Sequence, residues 1–241
     1  DQLLELADYQ VYIERLYEGK FDAAGIRDGK KDSLLKLAFR PNKMPPKTAE
    51  FFAANLINRG FKYNTLAESE QAMAGFKQRF PHSSYTAMLN EKLALKRKLN
   101  PGEPELDFAI HTIDGKDIKL SDLKGKVVML DFWASWCMPC IAEMPYAAKI
   151  EQEYKDKDVV FLYVSVDEDD NAWKNAIQKR NIEGMHMRAT GGMEGPLAKQ
   201  YDVEGIPSYF LIDKKGNYAM VNSLRPSDSD RLKAIIDSLL K

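Results

Sequence analysis

Thiols are scarce in this chain. Its 241 residues include two cysteines, and both lie in one stretch, DFWASWCMPC, at residues 131–140. No stray thiols remain elsewhere, which suits an oxidising compartment. Histidine is nearly as scarce, with His82, His111 and His186 scattered along the sequence. A zinc site needs about four ligands at recognisable spacing, so zinc is a poor use for the two cysteines and no metal is expected. No apolar run approaches ~18 residues, so no transmembrane helix is expected. A strong excess of positive charge is also missing: the net charge is −1. That argues against nucleic acid as a partner. The first residue is Asp, not Met, so a removed upstream segment is expected and the lack of a signal peptide says nothing.

What is present is the composition of a soluble globular protein, 44% apolar and 29% charged, at a length that allows one large or two ordinary domains. Residues 1–100 carry 17 Lys and Arg against 12 Asp and Glu, a balance of +5, and residues 101–241 carry 18 against 24, a balance of −6. The asymmetry predicts two units. Residues 1–100 have helical periodicity, at Leu6, Tyr9, Ile13, Leu16 and Tyr17, at Leu66, Met73, Phe76 and Phe80, and at Tyr85, Met88, Leu89 and Leu93. Pro81 separates the last two runs, with Ser83 and Ser84 as candidate caps, so a helix hairpin is expected. RPNKMPPKT, at 40–48, is expected to be a loop that opens another helix. No second copy recurs at a fixed period, which favours a plain bundle over a helical repeat.

LNPGEPELDF, at 99–108, is rich in turn formers and reads as a linker. The periodicity then changes. FAIHTIDGKDIKL predicts two short strands around Asp114-Gly115. KVVMLDFW (126–133) and VVFLYVSVD (159–167) are apolar runs expected of strands covered on both faces. Helices are expected over 138–154, 170–180, 194–201 and 227–240, and further strands over MHMRAT (185–190), IPSYFLID (206–213) and NYAMV. Strands alternating with helices predict an α/β fold whose sheet has a parallel core and an antiparallel edge.

Cys-x-x-Cys after a buried strand is a redox signature. Two residues three apart at a helix start share one face, within reach of a disulfide. The first thiol sits where unpaired N–H groups and the positive dipole end favour thiolate. Such thiols have pKa values of roughly 3.5–7.5 in place of ~8.5. Pro139 fits, because its missing N–H costs nothing in a first helical turn. Cys137 is therefore the expected nucleophile, and Cys140, one turn in and more buried, the resolving thiol. A purely structural disulfide is the bland alternative, but so short a loop restricts the unfolded chain little.

VVMLDFWASWCMPC followed by GIPSYFLID resembles the thioredoxin superfamily. PGEPELDFAIHTIDGKDIKLSDLKGKVVMLDFWASWCMPCIAEMP is similar to the TlpA/ResA-type extracytoplasmic thiol-disulfide oxidoreductases, including Bacteroidetes members with an N-terminal extension. The resemblance spans about residues 101–241. It implies a thioredoxin-like domain, a mixed central sheet flanked by helices, preceded by an all-helical domain at 1–100. It implies that Pro207 is a cis proline packed beside the cysteines, offering backbone to substrate. Ile206 before it is similar to the reducing members. Asp131, six positions before Cys137, matches a buried aspartate that shuttles a proton for the resolving thiol. Glu143, three after Cys140, matches an active-site glutamate; the bland reading is a solvated acid on the helix. Trp136, Pro139, Ile206 and Pro207 are expected to face substrate, and Trp133 to lie in the core.

Two further readings use the same cysteines. A thiol peroxidase would need a threonine three before the nucleophile, where this chain has Ala134. A Sco-like copper chaperone could recruit Met185, His186, Met187 and Met193 as soft ligands, but uses a wider cysteine spacing. A third reading makes the helical unit a binding scaffold and the redox domain vestigial, against the intact cysteine pair. The expected activity is reduction of disulfides in extracytoplasmic proteins, with the Cys137–Cys140 pair in place of any other cofactor. The resemblance implies a disulfide-containing protein as substrate, a membrane thiol donor, and a periplasmic or otherwise extracytoplasmic location, with a membrane anchor in a segment absent from this chain.

Overall fold

A computed structural model of the chain describes residues 46–222 and 224–241. The periodicity over Leu6–Tyr17 lies outside the described residues. The chain divides into two units, residues 1–96 and 97–241.

In the first unit, α1 (Pro46–Gly60), α2 (Leu66–Arg79) and α3 (Thr86–Lys98) follow one another. Of the loop expected over 40–48, residues 40–45 lie outside the described residues and 46–48 are helical instead; Pro46 takes a first-turn position, where proline loses no hydrogen bond. Thr65 caps α2. Its hydroxyl accepts the Glu68 N–H at 3.2 Å, and the Glu68 carboxylate accepts the Thr65 N–H at 2.7 Å. This reciprocal box satisfies two donors that a helix start would leave unpaired. Ahead of α3, Ser83 Oγ accepts the Tyr85 N–H at 3.2 Å. The core gathers Ala53, Ala54, Ile57, Met73, Phe76, Leu89 and Leu93. Met88, expected on the same apolar face, is exposed instead, while the adjacent Leu89 takes the buried position.

The second unit opens with β1 (Ala109–His111) and β2 (Asp117–Lys119), an antiparallel pair around the expected turn. Then come β3 (Val127–Trp133), α4 (Met138–Glu153), β4 (Val159–Ser165), α5 (Asp170–Arg180), β5 (Met185–Arg188), α6 (Pro196–Gln200), β6 (Ser208–Ile212), β7 (Tyr218–Val221) and α7 (Ser229–Leu240). The five-stranded sheet has the order β5-β4-β3-β6-β7. Strands β3, β4 and β5 pair in parallel, and β6 and β7 join antiparallel. The antiparallel part therefore begins at the centre of the sheet, against β3 itself. All seven residues of β3 are buried, which is why this strand is apolar on both faces.

Strand alternation sorts the side chains. On one face Phe132, Phe210 and Tyr201 form an aromatic cluster with ring centroids 5.1–5.8 Å apart. On the other, register aligns His186, Tyr163, Asp131 and Tyr209 in a row across four strands. Glu151 of α4 meets this row, accepting the Tyr163 hydroxyl at 3.4 Å.

The stretch that reads as a linker is bonded to the sheet for part of its length. Gly102 N–H donates to Tyr218 O at 2.7 Å, Tyr218 N–H to Glu103 O at 2.9 Å, and Glu105 N–H to Gly216 O at 2.8 Å. Leu106 is held at both ends, its N–H by the Tyr218 hydroxyl and its carbonyl by the Tyr201 hydroxyl. Prolines suit such an edge segment, where a missing N–H can face away from the ladder.

Candidate active site

The site forms where β3 ends. Residues after Trp133 turn sharply, with Cys137 N–H closing onto Ala134 O at 3.1 Å, and α4 begins at once. Cys137 is the N-cap of α4, and Pro139 sits in its first turn. Cys137 and Cys140 form a disulfide with a Cα–Cα separation of 5.3 Å. The Cys140 N–H points at Cys137 Sγ, 3.2 Å away. An unpaired helix-start donor is thus already aimed at the first sulfur. Cys140 is 1% exposed and Cys137 only 4%, a smaller contrast than the sequence suggests. The chain neighbours of Cys137 are open to solvent: Trp136 is 60% exposed and Met138 is 70% exposed. Trp133 is fully buried, as expected for core.

The Ile206–Pro207 peptide bond is cis. Ser208 pairs with Phe132, so Pro207 lies one step beyond, at the end of β3 from which the Cys137 loop departs. Ile206 and Pro207 are both half-buried.

Asp131 and Glu143 are both buried, on β3 and α4, but in opposite surroundings. Glu143 accepts the Ser227 N–H at 2.8 Å and the Ser227 hydroxyl at 3.0 Å, with Arg225 Nη1 3.9 Å from it. The solvated reading of this acid therefore does not apply. Asp131 Oδ1 has no hydrogen-bond partner among the described residues. Burial, and after it the nearby Glu143 carboxylate, pushes Asp131 well above the usual carboxylate range. Tyr209, its register partner, has a buried hydroxyl that is also unpartnered. Its phenol is pushed upward by burial first, then by Asp131 and Glu143.

Sequence reasoning missed the residues that support the site. Ser227 and Arg225 lie about 85 residues beyond Glu143, in a short turn before α7, and no local pattern ties them to it. Asp167 is a second omission: its carboxylate holds the Ser135 N–H at 2.8 Å and the Ser135 hydroxyl at 2.6 Å. The sequence signal for Asp167 was present, a carboxylate ending an apolar run. The copper set does not assemble on its strand. Neighbours on β5 alternate, so His186 faces away from Met185 and Met187, and stacks on Tyr163 at 5.0 Å. Among the described residues no group of three or more His, Cys, Asp and Glu could hold a metal.

A Cys-x-x-Cys disulfide at a helix start, at the same end of the sheet as a cis proline, marks a thioredoxin-like thiol-disulfide protein. The chain belongs to the redoxin family, whose family model matches residues 100–234. Over 121 residues it is 37% identical to thiol-disulfide oxidoreductase ResA of Bacillus thuringiensis subsp. konkukian, covering 50% of this chain and 68% of the relative. Over 132 residues it is 33% identical to ResA of Bacillus subtilis, covering 55% and 72%. A solved thiol-disulfide oxidoreductase from Bacteroides vulgatus superposes with a TM-score of 0.54 at 36% identity, covering 59% of this chain and 99% of that one. A thiol:disulfide interchange protein, DsbE, from Chlorobium tepidum gives 0.53 at 31% identity, covering 59% and 99%. The protein is a thiol-disulfide oxidoreductase of the thioredoxin superfamily, ResA/TlpA-like.

Proposed function

We propose that the protein reduces disulfides in extracytoplasmic proteins, with Cys137 as nucleophile and Cys140 as resolving thiol. The observation that carries this is the Cys140 N–H aimed at Cys137 Sγ at the start of α4, an arrangement that favours thiolate on the first sulfur. The reduced Cys137 thiolate attacks one sulfur of the substrate disulfide. A mixed disulfide forms, and the other substrate sulfur leaves as thiolate and takes up a proton. Cys140 gives its proton to Asp131 in its ionised form and attacks Cys137 Sγ. The intramolecular disulfide forms and the second substrate thiolate leaves, to be protonated in turn. Two electrons have passed to the substrate.

Trp136, Pro139, Ile206 and Pro207 line the approach to Cys137 and contact the substrate chain. The Cys137–Cys140 pair serves as the only redox group. Among the described residues no helix is long and apolar enough to cross a membrane; a membrane thiol donor returns the pair to its reduced state. Relatives named as a thiol-disulfide oxidoreductase and a thiol:disulfide interchange protein support the disulfide exchange itself. The test is trapping. Cys140→Ser should accumulate a mixed disulfide with a protein substrate, while Cys137→Ser should trap nothing and lose turnover. Alkylation of the reduced protein at mild pH should label Cys137 first; preferential labelling of Cys140 would reverse the assignment.

A further inference from the structure

Asp167 lies just past β4 and is 1% exposed. Its Oδ1 accepts the Ser135 hydroxyl at 2.6 Å; its Oδ2 accepts the Ser135 N–H at 2.8 Å and the Ser165 hydroxyl at 2.7 Å. The Asp167 N–H returns a bond to Ser165 Oγ at 2.9 Å. All three donors to the carboxylate are neutral. Arg188 spends Nη1 on the Asp167 and Glu168 carbonyls and faces Asp170 with Nε. Ser135 stands two residues before Cys137, and two residues span at most about 7 Å of backbone. A negative charge is therefore fixed close to the attacking sulfur, without a cation on its oxygens.

We propose that Asp167 is a positioning residue that fixes the loop carrying Cys137 through Ser135, and that its charge makes the Cys137–Cys140 pair more reducing. This rests on the reading of Cys137 as the thiol that ionises. A thiolate stabilises the reduced form, and a neighbouring buried anion works against it. The charged groups on the elements next to the loop include Asp131 on β3, Glu143 on α4 with Arg225 3.9 Å from it, Glu168 and Asp169 after β4, Asp170 on α5 and Arg188 on β5. The equilibrium concerned is with glutathione. The protein S–S bond breaks and one forms between two glutathiones. Two electrons pass to the protein sulfurs. One glutathione proton goes to Cys140, and the other to Cys137 or, where Cys137 stays thiolate, to solvent.

Asp167→Asn separates charge from shape. The amide oxygen can keep the Ser135 N–H and the Ser165 hydroxyl, and the amide nitrogen can donate to Ser135 Oγ. One hydrogen bond, two residues of chain and a cysteine side chain put the charge no further than about 14 Å from the sulfur, and a unit charge at that distance, at an effective dielectric of about 20, changes an equilibrium severalfold or more. The glutathione equilibrium constant of the full chain should therefore move severalfold or more toward reduced protein, each tenfold being about 30 mV for a two-electron couple. Ser135→Ala keeps the charge and loses one bond; it should slow insulin reduction severalfold and leave the constant within about twofold. An unchanged constant in natively folded Asp167→Asn overturns the charge role, and an unchanged rate in Ser135→Ala overturns the positioning role. Should the Asn variant not fold, Arg188→Met withdraws a cation and should move the constant the other way; no movement, or movement toward reduced protein, refutes the proposal. The order of thiol alkylation in the reduced variant shows separately whether Cys137 is the ionising thiol.

Discussion

Asp131→Asn tests the electrostatics of the site through stability before any catalysis is measured. The Asp131 carboxyl is held well above its usual range by burial first and Glu143 second. A carboxyl raised on folding binds its proton more tightly in the native state. Its contribution to stability is then fully present below the unfolded value, near 3.8, and is lost as pH rises to the folded value. Within that window one extra proton is bound by the native state, so wild-type stability falls by about 1.4 kcal/mol per pH unit relative to a variant without the group. Asp131→Asn keeps the shape and removes the titration. The variant should gain on wild type steadily from about pH 4.5 upward; with a urea slope of about 3 kcal/mol/M, its midpoint advantage should grow by roughly 0.5 M per pH unit. Both proteins are measured oxidised, so that the thiols do not titrate. Trp133, Trp136 and Trp173 are the chain's three tryptophans and all lie in the second unit, so fluorescence reports that unit. Parallel midpoints between pH 4.5 and 6.5 would show that Asp131 ionises normally, and the account of its isolation would be wrong.

Glu143→Gln should shorten that window, because it removes the second cause of the Asp131 shift; a pH series on the variant reads it. Asp131→Asn should slow resolution of the mixed disulfide, and the wild-type rate should fall as pH is lowered through the raised value, since the protonated acid cannot accept from Cys140. Ser227→Ala removes one of two donors on Glu143 and should cost about 1.5–3 kcal/mol, as for a hydrogen bond to a charged group; denaturation with and without Glu143→Gln shows whether the two losses overlap. Glu151 is pushed from 4.5 up to about 7 by burial, then by Glu183, against the Tyr163 bond, so the stability it contributes is lost as pH rises from about 4.5 to about 7, and Glu151→Gln should flatten the melting temperature between pH 5 and 7. A fragment of residues 100–241 should fold and reduce insulin at close to the full rate, whereas one starting at 108 drops the bonds from 102–106 to β7 and Tyr201 and should melt several degrees lower.

The strands and helices of the second unit were legible because each has one strong local signal. Alternation of apolar runs with helical periods gives β3, α4, β4 and α5, and the cysteine spacing at the end of β3 marks the chemistry. The segment at 99–108 misled because Pro and Gly signal both linkers and edge segments; only the partner strand, over 110 residues later, distinguishes them. Met88 misled in a simpler way, since a period cannot say which of two adjacent apolar residues takes the buried side. The supporting residues of the site were illegible for the same reason as the edge segment. Ser227 meets Glu143 across 84 residues, and Ser135 meets Asp167 across 32. Serine carries no periodic signal, so these bonds exist only once the sheet has brought α4, the turn before α7 and the end of β4 together.

The two buried carboxylates each match an acid of the resembled families in sequence, Asp131 a proton-shuttling aspartate and Glu143 an active-site glutamate. Their surroundings divide the work. Glu143 is tied to a backbone N–H and a hydroxyl of the same turn, so moving a proton onto it would break bonds that dock that turn on α4. Asp131 Oδ1 is buried and engages no donor, so a proton can arrive there without displacing one. Its neighbours in register are tyrosines, Tyr163 and Tyr209, neutral groups that leave the carboxyl uncompensated. A carboxyl in that state is a stronger base than one in water, closer to the basicity of a thiolate, which is what withdrawal of the Cys140 proton requires. On the proposed mechanism Glu143 acts through Asp131: its charge raises the basicity of the group that would take the Cys140 proton, and Ser227 keeps that charge in place.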